Sequence, residues 1–192
     1  MTRWMKVTEF PYQLKDIIVI PTTPEIVEKY RIAATNMGKE NKGGKTRDGG
    51  DYKDLKGCLA QWAVHEYLND CGWEHEYREP YVEKQYGDEF DIKFCDEIWD
   101  VKGRSWWDEK WFFNIDILMG VHEKTEAKSA DWYIFCTVDK EYKNVYILGG
   151  KTSYDTWNEL QEVKDQSHLP FPAEGSFKSR TLTPIRKLIL RT

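Results

Sequence analysis

The stretch G-D-E-F-D-I-K-F-C-D-E-I-W-D-V-K-G, Gly87 to Gly103, holds two β patterns separated by turn residues. In the first, Phe90, Ile92 and Phe94 share one face, so strand alternation turns Asp91 and Lys93 to the other. In the second, Ile98, Asp100 and Lys102 share a face, with the Asp100 and Lys102 side chains about 7 Å apart along the strand. If the strands pair as a hairpin, a two-residue turn at Asp96 and Glu97 sets Asp91 against Lys102, and a four-residue turn sets Asp91 against Asp100. Either register gathers the three charged side chains on one face, whereas a three-residue loop would turn Asp91 away. Directly opposed carboxylates about 5 Å apart repel and need a compensating cation. Lys102 supplies one positive charge, and a divalent metal would supply the rest.

Upstream, Asp54 to about Asn69 reads as an amphipathic helix, with Leu55, Leu59, Trp62, Ala63 and Tyr67 at helical spacing and Gly72 ending it. Glu66 lies four residues after Trp62, on the face expected to pack against the sheet. A carboxylate there either belongs to a hydrogen-bond network or reaches a metal at the edge of the core. Three carboxylates and water oxygens suit Mg²⁺, with Mn²⁺ able to substitute. A strand around Tyr77 to Val82 completes an antiparallel meander with the two strands of the hairpin. Beyond it, a Trp-rich bend from Ser105 to Trp111 leads to a helical segment ending near Ser129. Two strands follow, Trp132 to Val138 and Asn144 to Leu148, closed by Gly149 and Gly150.

The flanks are simpler. A short strand, Ile17 to Ile20, precedes a helix opened by Pro24 and running to about Met37, with Thr23 as N-cap. Asn41 to Asp51 reads as an exposed Gly- and Lys-rich loop that could act as a lid or groove wall. The tail holds a short helix near Thr156 to Val163, a Pro-rich turn and a final apolar element around Ile185 to Leu190. The expected organisation is one α/β domain with a mixed five-stranded sheet flanked by helices. Residues 1–53 form an accessory region with its basic loop, 54–150 the core and 151–192 a C-terminal extension.

Composition sets the remaining bounds. With 40% apolar residues and nine Trp among 192, the chain can bury a sizeable core. No apolar run approaches the roughly 18 residues needed to cross a bilayer, so no membrane and a cytoplasmic address are expected. Cys58, Cys71, Cys95 and Cys136 contain no C-x-x-C pair and read as reduced interior thiols. A net charge of −5 argues against a protein that coats nucleic acid, but leaves room for a local basic groove. Lys45 and Arg47 in the loop, Arg104 after the D-x-K strand, and Lys178 and Arg180 in the tail are the candidates to line one, against the plainer reading of a solvated surface.

Glu66, Asp91 and the D-x-K of Asp100 to Lys102, in the order helix, strand, hairpin, strand, resemble the PD-(D/E)xK nuclease superfamily. G-D-E-F-D-I at Gly87 to Ile92 is similar to its second motif and W-D-V-K-G at Trp99 to Gly103 to its third, within a resemblance spanning about Asp54 to Gly150. The resemblance implies a restriction-endonuclease-like core of the order α-β-β-β-α-β-β. It also implies Mg²⁺-dependent phosphodiester hydrolysis, on DNA in preference to RNA, in a prokaryotic or phage setting. Metal ligands would be Asp91, Asp100, Glu66 and the Val101 carbonyl, with Lys102 acting on the attacking water and Arg104 on a phosphate. A homodimer would suit an endonuclease that cuts two strands. No Pro precedes Asp91 and no Q-x-x-x-Y follows the D-x-K, so the subfamily stays open. The main rival is a non-catalytic module of the same fold that binds DNA or protein; an RNA- or nucleotide-directed nuclease would use the same site.

Other patterns carry less. Trp106, Trp107 and Trp111 could stack on bases, but core packing is the simpler reading. G-G-K-T at Gly43 to Thr46 lacks the first Gly of a phosphate loop and follows a helix. His65 with Glu66 is not H-E-x-x-H, because Asn69 stands at the second His position, and His75, His122 and His168 show no ligand spacing.

Overall fold

The computed structural model describes residues 17–40, 51–80, 90–105, 118–121, 130–156, 175–178 and 182–190. The elements are β1 (Ile18–Pro21), α1 (Pro24–Glu40), α2 (Asp51–Asp70), β2 (Glu76–Tyr77), β3 (Ile92–Phe94), β4 (Glu97–Ser105), β5 (Leu118–Val121), β6 (Trp132–Val138), β7 (Asn144–Thr152), β8 (Gly175–Lys178) and α3 (Ile185–Ile189). The protein is mixed α/β, built on a six-stranded mixed sheet in the order β1-β7-β6-β4-β3-β2, with β5 and β8 forming a separate antiparallel ribbon.

Two departures from the expected architecture matter. The sheet has six strands rather than five, because β1 pairs antiparallel with β7 and so extends the sheet from the N-terminal region. Where a helix was expected up to Ser129, Leu118–Val121 is instead a strand, since its backbone groups find partners in β8; residues 106–117 and 122–129 lie outside the described residues. β2, β3 and β4 are successively antiparallel, as expected of the meander, but its first strand, expected over Tyr77 to Val82, is only Glu76–Tyr77, and residues 81–82 lie outside the described residues. β4 then pairs in parallel with β6, and β6 antiparallel with β7.

Helix ends follow local chemistry. The Thr23 hydroxyl accepts from the Ile26 amide at 3.4 Å, which caps α1. The end of α2 is closed by Trp73 N–H donating to the Leu68 carbonyl and Gly72 N–H to that of Asn69, with Gly72 at φ 72°. Leu55, Leu59, Ala60, Ala63, Val64 and Leu68 are buried around much of α2, which fits a helix lodged between α1 and the sheet. Close approach to β4 depends on Gly103: a Cβ there would overlap the Lys56 carbonyl oxygen and lie 2.9 Å from the Ala60 methyl.

The main core fills the sheet face beneath α1, α2 and α3, with Ile92, Phe94, Trp99, Val101, Ile134, Cys136 and Ile147 from the strands. A smaller cluster on the opposite face joins Tyr133 and Phe135 to Ala130, Ile98, Leu148 and Leu182. The glycines expected to end β7 instead lie within it. Gly150 exchanges both backbone hydrogen bonds with Thr183 at 2.8 Å. Gly149, at φ 140°, admits the Thr183 backbone where a Cβ would collide. Of the four cysteines, all free, Cys58 and Cys136 are buried as expected, but Cys71 and Cys95 are exposed because each sits in a turn.

Candidate functional site

The β3–β4 hairpin places the acids. Its register pairs Ile92 with Trp99 and Phe94 with Glu97, so Asp91 stands opposite Asp100 one step further on. Of the two gathered registers, this is the Asp91–Asp100 one, but a two-residue turn at Cys95 and Asp96 achieves it, not a four-residue turn or one at Asp96 and Glu97. Both turn residues have positive φ, 50° and 64°, a conformation that matches the twist of paired strands. Strand alternation then sends Trp99 and Val101 into the main core and Asp100 and Lys102 to the opposite face.

On that face Lys102 Nζ pairs with Asp100 Oδ2 at 2.8 Å, and the two side chains remain 26% and 22% exposed, open to a ligand. The ammonium also lies 5.8 Å from the centroid of the Tyr133 ring, within cation–π range. Asp91 is held more tightly. Its Oδ2 accepts from the Val101 amide at 2.6 Å and its Oδ1 from Gln61 Nε2 at 2.7 Å. Burial, and then the neighbouring Asp100 carboxylate, push the Asp91 carboxyl up to about 8, against smaller opposing effects of the Val101 amide and Lys102. Burial and the Asp100 carboxylate together favour the protonated form of Asp91.

The donor set suits Mg²⁺, which commonly binds through one or two carboxylates and keeps several waters. Asp91 and Asp100 would hold it. The Val101 carbonyl is a candidate third donor, because the N–H and C=O of one strand residue face the same neighbour and the Val101 N–H faces the Asp91 carboxylate. Among the described residues no three His, Cys, Asp or Glu side chains come together as metal ligands.

Glu66 therefore does not join Asp91 and Asp100. The α2 side chain that reaches Asp91 is Gln61, five residues earlier and so about 140° around the helix from Glu66. Pattern reading favoured Glu66 because it alone on that helix face carried a charge; a neutral amide gave no such signal. Arg104 follows Lys102 by two residues on the same face of β4 and is half-buried. Lys178 lies in β8, while Lys45, Arg47, Arg180 and the tryptophans at 106, 107 and 111 fall outside the described residues. Tyr133 and the buried Lys151 were also missed: they continue the row of Asp91 and Asp100 across β6 and β7, a proximity that only strand register creates.

The fold and this face define a mixed α/β protein with an Asp–Asp–Lys cluster beside a parallel strand pair. No family model matches the chain, and no curated protein or solved structure is significantly similar to it. No helix among the described residues is long and apolar enough to cross a membrane.

Proposed function

We propose that the chain is a Mg²⁺-dependent phosphodiester nuclease of the PD-(D/E)xK type, with DNA as the preferred substrate. The reading is carried by one observation: the β3–β4 hairpin brings two carboxylates, Asp91 and Asp100, together beside Lys102, where a cation would relieve the burial and repulsion that raise the Asp91 pKa. The succession of α2, the β2–β3–β4 meander and the β6–β7 pair agrees with the restriction-endonuclease-like order, although the segment between β4 and β6 contains a strand.

In this reading Asp91 and Asp100 would hold the cation, which would supply an activated water and offset charge building on the phosphorus. Lys102, exposed enough to meet substrate, leaves Asp100 to orient the attacking water and stabilise charge on the phosphate. Gln61 and the Val101 amide fix the Asp91 carboxylate, and Arg104 offers a phosphate contact. A non-catalytic module on the same fold is the second reading, favoured by the neutral Gln61 where a third carboxylate would strengthen metal binding.

The test is cleavage of labelled single-stranded DNA, double-stranded DNA and RNA with Mg²⁺, Mn²⁺ or EDTA. Wild type should cut only with metal, and Asp100→Ala and Lys102→Ala should fall to background with melting temperatures close to wild type. Binding without cutting would support the module; full activity in a pure Asp100→Ala protein would overturn the nuclease.

A further inference from the structure

A second cluster of ionisable groups stands apart from the acids and does not depend on the nuclease reading. His65, on α2, and His75, in the segment leading to β2, meet beside an open cavity of about 790 Å³. His65 Nδ1 is 2.7 Å from His75 Nε2. The outer nitrogens are also engaged: His75 Nδ1 lies 2.9 Å from the Trp73 carbonyl oxygen, and His65 Nε2 lies 3.1 Å from Asn69 Nδ2. A carbonyl can only accept, so His75 carries its proton on Nδ1 and offers a lone pair at Nε2. His65 then donates from Nδ1 and accepts at Nε2 from the Asn69 amide. Burial and the neighbouring His75 hold the His65 pKa below its usual value. The His65 plane is set by stacking on Tyr77, at 4.1 Å between centroids and 12° between planes.

We infer that His65 Nδ1 and His75 Nε2 form a binding site for a borderline divalent transition metal, Zn²⁺ foremost. Zinc–nitrogen bonds of about 2.0–2.1 Å require the two nitrogens to part to about 3.3 Å and the rings to turn so that both lone pairs meet at the metal instead of along the present hydrogen bond. The His65 proton shifts from Nδ1 to Nε2, and the Asn69 amide turns over to accept it on Oδ1. His75 keeps its Nδ1 proton on the Trp73 carbonyl, so no net proton is released. Each ligating ring then donates its other N–H to a fixed oxygen, the outer-shell arrangement that orients metal-bound histidines. Water completes the coordination, and the carboxylates of Glu74, Glu76 and Asp96, which line the cavity with Lys93, add negative charge around it. Nitrogen donors select Zn²⁺ here, whereas the all-oxygen Asp91–Asp100 pair selects Mg²⁺.

The test uses the full chain carrying Cys71→Ser and Cys95→Ser, which removes the two exposed thiols as adventitious zinc ligands. Competition with a chromophoric chelator should show one Zn²⁺ equivalent. His75→Ala should weaken it at least tenfold and Asn69→Ala by about ten- to a hundredfold, while Asp100→Ala leaves it unchanged. Nitrogen-15 NMR of the unsubstituted site should show His65 passing from the Nδ1–H to the Nε2–H tautomer as zinc is added, a readout that needs no altered histidine to fold. Failure to take up zinc, undiminished binding in His75→Ala, or a His65 that keeps its Nδ1 proton at saturation would each reduce the pair to a hydrogen bond and overturn the site.

Discussion

Neighbouring residues of β4 face opposite sides of the sheet, and the two sides are held by different physics. Trp99 and Val101 are 1% and 4% exposed, and their side chains pack among many apolar ones beneath α2. Asp100 and Lys102 face the smaller cluster, and their stability depends on a few charges in fixed positions. One face is apolar and close-packed; the other is frustrated, with burial and then the Asp100 carboxylate raising the Asp91 pKa.

Breaking the apolar side should give the largest effect. Trp99→Ala should lower the unfolding free energy by about 3–5 kcal/mol, measured by urea denaturation. On the charged side, Asp91→Asn removes the repulsion and should leave the protein at least as stable as wild type in EDTA; a loss as large as that of Trp99→Ala would erase the distinction between the faces.

The pH dependence sharpens the same contrast. Asp91 rises from an ordinary value of 3.8 to about 8 on folding. Between those values the folded chain binds a proton that the unfolded chain has lost. Its contribution to stability is therefore fully present below 3.8 and is lost as pH rises through about 8. Melting temperatures in EDTA should fall across this window in wild type and less so in Asp91→Asn. On the proposed metal reading the cation would replace the proton, so stabilisation by Mg²⁺ should grow with pH, and a Mg²⁺ effect indifferent to pH would remove Asp91 from the ligand set. The smallest effect is expected from Gln61→Ala, which strips one hydrogen bond from Asp91 and should cost about 1 kcal/mol, with a further weakening of Mg²⁺ binding by calorimetry.

Much of this was legible in the chain. The alternation of Phe90 to Phe94 and Ile98 to Lys102 separated core from site, and the helical spacing of Leu55 to Tyr67 identified α2. Other features were not. The exact turn was hidden because Cys95 is not a residue that favours positive φ. The β5 strand looked helical because four residues carry no decisive period and their pairing partner lies more than fifty residues away. His65 and His75 showed no ligand spacing because one sits on a helix and the other past its end, so their contact arises from how the chain folds back.

The sequence by itself determined which side chains share a face, because strand and helix periods are local and fixed by backbone geometry. It also determined that carboxylates and a lysine would meet if the hairpin closed in a suitable register. Only the tertiary structure decided that Asp91 opposes Asp100, that Gln61 rather than Glu66 reaches them, and that Tyr133 and Lys151 extend their row. Those choices depend on strand register and on the rotation of α2 about its axis, which are set by packing between segments distant in sequence and have no local signature.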